Sequence, residues 1–220
     1  MKKGFAFLLA LCLALALAGC GNTDTPADGG NTNDPAGSET LRVEPLPDSI
    51  DVNSITDATL PVSFDAAALH TEGGKMTLDV KVCSYELYDA AEVSQLKVGD
   101  TIVADGREVG VASIDTTTGV VINGGYEQDG LTLMGGDGGT LYAVGADDSK
   151  TFHEVGAVTL PVSSDCQLQD SADLEAGEVT VTADQLAEYL TKDTGSFLPD
   201  NTTVTVTGGQ ITGISRVYRP

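Results

Sequence analysis

From Leu41 onward the apolar residues of this chain recur at every second position, and that period limits its fold more than any motif does. Met76, Leu78, Val80 and Val82 alternate with Thr77, Asp79 and Lys81. An extended backbone puts the first set on one face and the second on the other, whereas a helix would scatter them around its circumference. Comparable runs occur at Thr59 to Phe64, Thr101 to Ala104, Glu108 to Ile114, Val120 to Ile122, Leu131 to Met134, Leu141 to Val144, Val179 to Val181, Thr203 to Val206 and Ile211 to Tyr218. Asp105-Gly106, Gly124-Gly125, Gly135-Gly136 and Gly208-Gly209 lie between or beside these runs and suit the positive φ of tight hairpins. After Val82 the apolar parity switches to Tyr85 and Leu87, which predicts a β-bulge near Cys83-Ser84.

Two short helices interrupt the pattern, each with a capping box. Asp89 caps Ala90 to Leu96 with Glu92 at the third position, and Thr182 caps Ala183 to Leu190 with Gln185 there. Neither is long enough to stand without packing on a sheet. The expected fold is therefore mainly β, a barrel-like or sandwich domain with two short helices.

A weak internal repeat raises a second possibility for its architecture. Thr59-Leu60-Pro61-Val62-Ser63 recurs as Thr159-Leu160-Pro161-Val162-Ser163, with Asp65 and Asp165 two residues on, and Gly74 to Leu78 matches Gly177 to Val181. A capped helix and a glycine-turn hairpin follow in both copies. Order conserved at four places is compatible with a duplicated ββαββ unit, residues 57–114 and 156–217, with hairpins inserted at 115–155. A cleft would then be expected between the halves. The segment Leu96 to Val103, with its Gly99-Asp100 bend, resembles the strand that leads into many small β-barrels.

The first forty residues are of another kind. Met1, Lys2 and Lys3 precede an apolar run of 14 residues, Phe5 to Ala18, and then Gly19-Cys20. A basic flank before a run shorter than the roughly 20 residues that span a bilayer is the pattern of an export signal. Leu17-Ala18-Gly19-Cys20 resembles the lipobox of bacterial lipoproteins. The resemblance implies cleavage after residue 19 and a diacylglyceryl group on the Cys20 sulfur; Cys12 would leave with the signal. From Gly21 to Thr40 nothing more apolar than alanine or proline occurs. Residues 20–40 read as the lipidated cysteine with a flexible tether, whose reach is about 25 Å. Residues 57–220 resemble surface lipoprotein domains of Gram-positive bacteria, a likeness that brings no functional residues with it.

Loss of residues 1–19 removes Lys2 and Lys3 and no acid, which leaves 9 basic against 33 acidic groups and a formal charge of −24. The remaining cations are scattered, so nucleic acid is not an expected partner. The missing Trp weighs against a carbohydrate surface built on stacked indoles. In an oxidising exterior Cys83 and Cys166 are candidates for a disulfide; unpaired, they would be buried as small apolar residues.

Candidate chemistry is sparse. His70 falls in an expected turn and His153 near a strand start, and neither has a second ligand at metal spacing. A triad could in principle draw His153 toward Ser163, Ser164 and Asp165, but no Gly-x-Ser-x-Gly elbow supports it. Asp129, Asp137, Asp147 and Asp148 sit beside or near glycines as weak calcium candidates, without the full Asp-x-Asp-x-Asp-Gly spacing. Leu198-Pro199-Asp200-Asn201-Thr202 resembles a sortase signal only superficially, since no apolar tail follows. The expectation is an acidic β-rich domain, residues 41–220, tethered through Cys20 to membrane lipid on the extracytoplasmic face. It would bind an envelope protein or a small ligand, or serve an envelope-structural role, without cofactor and without catalysis. An envelope hydrolase or transferase with a site between the halves, and a calcium- or small-ligand-binding module, are the alternatives.

Overall fold

The computed structural model describes residues 40–145, 148–192 and 195–219. The expected signal, Cys20 and nearly all of the expected tether lie outside them. The fold is mainly β, as the alternation requires. Its elements are β1 (Arg42–Val43), β2 (Ala58–Ser63), β3 (Leu69–Glu72), β4 (Lys75–Tyr85), β5 (Leu87–Asp89), α1 (Ala90–Val93), β6 (Thr101–Ala104), β7 (Arg107–Gly110), β8 (Ile114–Asp115) and β9 (Val120–Ile122). Then follow β10 (Leu131–Gly135), β11 (Thr140–Val144), β12 (Phe152–Ser171), β13 (Val179–Thr182), α2 (Ala183–Lys192), β14 (Thr202–Thr207) and β15 (Gln210–Val217). Among the described residues no helix is long and apolar enough to cross a membrane.

Five strands close on themselves. β2 pairs antiparallel with β4 and with β14, β14 with β15, and β4 with β12, while β12 and β15 run parallel. The 20-residue β12 makes this closure possible, because its first half lies on β4 and its second on β15. Val162 is the crossover, partnered by Met76 on one side and Ile211 on the other. Between Val162 and Gln167 the register with β15 shifts, the kind of bulge that turns a strand around a barrel corner. In chain order the barrel strands lie 1-2-3-5-4, a Greek-key connection. The alternating residues Leu78, Val80, Val82, Leu160, Val162, Val204 and Val206 fill the interior, and Leu186 and Leu190 of α2 join the same core.

The chain leaves the barrel after Tyr85 and returns at Phe152, and the residues between build a second core. There β5-β11-β10-β9-β8 form one sheet and β1-β6-β7 another. Val43, Tyr88, Ile102, Ile122 and Leu133 pack together between them. Asp100 ties this lobe to the start of the domain: its buried carboxylate accepts the Leu41 and Lys97 amides, both at 2.9 Å. Burial alone would push that carboxyl up, but the two amide bonds outweigh it and hold it below its ordinary value.

The ββαββ duplication is not carried into the sheets. The second segment keeps all its strands and α2 in the barrel, whereas the first leaves β2 and β4 there and sends α1 and the β6–β7 hairpin to the other core. The inserted lobe accordingly begins at Glu86 rather than 115. Both Thr-Leu-Pro-Val-Ser copies are strands with the same inward residues, but they flank opposite edges of β4 instead of occupying equivalent places. The Gly99-Asp100 bend likewise leads into β6 of the inserted lobe, not into a barrel strand.

Local expectations fare better. Asp89 accepts the Ala91 and Glu92 amides, although α1 ends at Val93. Thr182 donates its amide to Gln185 Oε1 at 3.3 Å, one half of the expected capping box. Asp105-Gly106 and Gly208-Gly209 have the paired positive φ that two-residue hairpins demand. The bulge expected near Cys83 lies at that level but in the partner strand, where Val155 is the extra residue between Glu154 and Gly156. The β10–β11 turn falls at 136–139, with Gly138 and Gly139 rather than Gly135 and Gly136 at positive φ.

Candidate functional site

A groove of about 550 Å³ opens on the outer face of the barrel, over β4 and β12. Its origin is a gap in strand pairing. β2 covers β4 at Lys81 and Val82, β3 covers it from Lys75 to Leu78, and Asp79-Val80 between them is spanned only by the turn at 65–68. That turn reads Asp65-Ala66-Ala67-Ala68, and Asp65 closes it by accepting the Ala67 amide at 2.8 Å. Small side chains leave the space empty, since Ala67 and Ala68 form one wall and Ala157 with Val158 the other.

The rim is polar and already paired. Asp79 accepts from the Thr159 hydroxyl at 2.5 Å and lies 2.8 Å from His70 Nε2. Those two contacts, Thr159 first, hold the Asp79 carboxyl below its ordinary value. Lys81 bridges to Glu154 at 3.1 Å. His70 is not in a turn but on β3, opposite Thr77, which sets it on the same outward face as Asp79. The carboxylate therefore stands between hydroxyl and imidazole. A nucleophile relay needs the imidazole in the middle, and a carboxylate of depressed basicity is a poor general base at neutral pH. The arrangement suits holding a polar group.

His153 repeats the motif elsewhere. Its Nε2 lies 3.0 Å from Asp48 Oδ2, and Ser84, its partner across the strands, also hydrogen-bonds Asp48. Burial pushes that carboxyl up, but the two contacts more than compensate and leave it lowered. The triad with Ser163, Ser164 and Asp165 is not assembled: His153 and Ser163 are ten residues apart on one extended strand, roughly 33 Å of chain.

The two cysteines are unpaired and buried. Cys83 is opposite Glu154, and Cys166 lies twelve residues farther along β12, roughly 40 Å of strand at about 3.3 Å per residue. No disulfide can span that distance. Burial raises both thiols, Cys166 to about 11, so both are protonated and weakly nucleophilic at neutral pH.

The calcium candidates do not converge. Asp129 follows a short 3-10 turn in a left-handed conformation, Asp137 starts another, and Asp148 is left-handed in a separate loop. Asp147 lies outside the described residues. Among the described residues no three His, Cys, Asp or Glu side chains are placed to hold a metal ion.

One polar cluster gave no warning in the sequence. Arg216 and Asp170, both buried, pair at 2.5 Å beneath α2, and Tyr189 donates to the same carboxylate at 2.9 Å. The Arg216 guanidinium lies 4.3 Å from the Phe197 ring, which stacks on Phe64 at the end of the groove. Arg216 falls in register with the inward residues of β15, so period alone would have assigned it an apolar neighbour's place. Comparison of the chain with known protein families, with curated proteins and with solved structures finds no match.

Proposed function

We propose that this chain is the precursor of a bacterial lipoprotein, held after processing by a diacylglyceryl group on Cys20 at the extracytoplasmic face of the cell membrane. Its barrel acts there as a non-catalytic binding module through the Asp79 groove. The observation that carries the anchor is the order of the first twenty residues: Lys2-Lys3, the apolar run, then Leu17-Ala18-Gly19-Cys20. Two acyl chains on one sulfur give stable membrane attachment, and the tether would hold the domain clear of the headgroups.

The binding role is supported by the position of the groove. Five-stranded Greek-key barrels bind oligosaccharides and oligonucleotides on the outward face of their second and third strands and in the adjoining loops, and here those strands are β4 and β12. The acidic surface disfavours the oligonucleotide. A neutral oligosaccharide fits the groove better, with sugar faces against Ala67, Ala157 and Val158 and hydroxyls at the Asp79–Thr159 rim.

Growth with radiolabelled palmitate tests the anchor. The chain should incorporate label and sediment with membranes, and Cys20→Ala should do neither; label retained by that variant would refute the proposal. For the groove, tetra-N-acetylchitotetraose is a suitable uncharged probe. It should shift the amide resonances of Lys81 and Thr159, and Ala157→Leu, which fills the groove, should abolish those shifts.

A further inference from the structure

A second cleft, of about 340 Å³, opens where the chain crosses between barrel and inserted lobe, lined by Tyr85, Leu87, Gly136, Thr140, Tyr142 and Lys150 among others. Its walls come from strand ends that the crossing itself brings together. Tyr85 ends β4 and Phe152 opposite it begins β12, while Tyr142 belongs to β11 of the inserted lobe. Lys150 is set by pairing with β11: the Gly145 amide donates to the Ser149 carbonyl at 2.8 Å, and Lys150 bridges to Val144.

The lysine ammonium rests on the two phenol rings, 3.8 Å from the centroid of Tyr85 and 4.8 Å from that of Tyr142. The rings stand edge to face, 6.0 Å apart, and Phe152 braces Tyr85 from another side at 5.6 Å. Four other cations of the domain, Arg42, Lys81, Lys192 and Arg216, each pair with a carboxylate. Among the described residues, Lys150 is held by rings instead. Cation–π contact fixes the ammonium without neutralising it, so N–H donors remain for an anion that enters the cleft. Salt screens the acids that lie beyond about 8 Å, and Asp137 is the carboxylate residue that shares the cleft lining with Lys150.

The geometry points to a binding site in this cleft for a sugar ring that bears a carboxylate, the ring packed against the Tyr85–Tyr142 wall and the carboxylate on the Lys150 ammonium. The remaining polar groups fit the hydroxyls of such a ring: Thr140 and Asp137 at the rim, with glycine backbone at Gly135 open to close approach. An inorganic anion would leave the aromatic wall unused. A cationic ligand would have to displace an ammonium tethered in place, whose effective concentration is high. The inference rests on the reading of the domain as a binding module, but on neither the Asp79 groove nor the lipid on Cys20.

Three isolated probes decide it, titrated into the full chain in detergent micelles with tyrosine fluorescence as the readout: methyl β-glucuronide, its neutral counterpart methyl β-glucoside, and tetramethylammonium. The glucuronide should bind at least tenfold more tightly than the glucoside. Lys150→Met, which keeps the aliphatic stem, should erase that preference and leave glucoside binding unchanged, and Lys150→Gln should do the same. Lys192→Gln, at a cation of α2 outside both the cleft and the groove, should change neither. Equal affinity for the two sugars, absence of glucuronide binding, or an unchanged preference in the Lys150 variants would overturn the inference. Tetramethylammonium binding to the wild-type chain as tight as that of the glucuronide would also overturn it, by making the rings a cage for external cations. Loss of glucuronide binding in Asp79→Asn alone would move the site to the groove and leave the binding-module reading standing.

Discussion

The barrel and the inserted lobe solve the same problem, a marginal β core, in different ways. The barrel joins its strands into a ring, so that only β3 and β13 hang from it as edges, and it buries 18 residues in one cluster together with α2. The inserted lobe has two open sheets and 11 buried residues in its cluster. Its edges are short: β1 and β8 have two residues each, the usual defence against edge-to-edge pairing. Polar burial differs too. The barrel encloses a complete ion pair, Arg216–Asp170, whereas the lobe uses single acceptors, Asp100 for two amides and the Val103 carbonyl for the Tyr88 hydroxyl at 3.0 Å. The comparison teaches that the smaller, open lobe is the element expected to open first, while the two crossings that join it to the barrel carry the aromatic–lysine cleft.

The largest effect should come from breaking the barrel's ion pair. Arg216→Met strands Asp170 in the core and should lower stability by about 3–5 kcal/mol in urea titrations, while Arg216→Met with Asp170→Leu should restore most of that loss. A double variant no more stable than the single one would mean that the arginine matters for shape and not for charge. Next, Leu133→Ala should cost about 2–5 kcal/mol, concentrated in the lobe. Native-state hydrogen exchange should lose protection at Ile102 and Ile122 while Leu78 and Val204 keep theirs; equal losses in both cores would make them one cooperative unit and remove the distinction.

Acid sharpens the contrast further. Burial pushes the Asp170 carboxyl up, but Arg216, the Ala172 amide and Tyr189 together hold it below the ordinary value of 3.8. Its contribution is therefore complete above that value and is lost as pH falls through the lowered one. Urea midpoints should thus decline more for the wild type than for Asp170→Asn between pH 4 and roughly pH 2; parallel declines would show that the pair contributes nothing to acid stability. The smallest effect is expected at the hairpins, where Gly208→Ala and Gly106→Ala, at φ +57° and +66°, should each cost roughly 1 kcal/mol. Thermal melts that separate the two would rank how tightly each lobe holds its turn.

Much of the secondary structure was legible in the sequence because its causes are local. The alternation at 76–82 is the inward and outward face of β4, Asp89 and Thr182 sit at the starts of their helices, and Asp105-Gly106 turns where its φ preference says it should. The groove was much less legible. Asp79 entered only as the polar half of an alternation and Thr159 only as the start of a repeated pentapeptide, and nothing in either position announced that they meet. The Asp170–Arg216 pair was invisible for the same reason: 46 positions separate its members, and only Arg216 fell within an expected strand.

The sequence by itself determined the β character, the turns and the helix starts, because each depends on residues within a few positions of one another. Only the tertiary structure decided which strands meet. Thr59-Leu60-Pro61-Val62-Ser63 and Thr159-Leu160-Pro161-Val162-Ser163 have the same local instructions and the same strand conformation, yet one became a six-residue strand and the other the middle of the 20-residue strand that closes the barrel. Period two specifies which face of a strand is buried but not its neighbour. The neighbour is chosen by the core volume and by the few bulges, such as the one between Val162 and Gln167, that let a strand leave one partner for another.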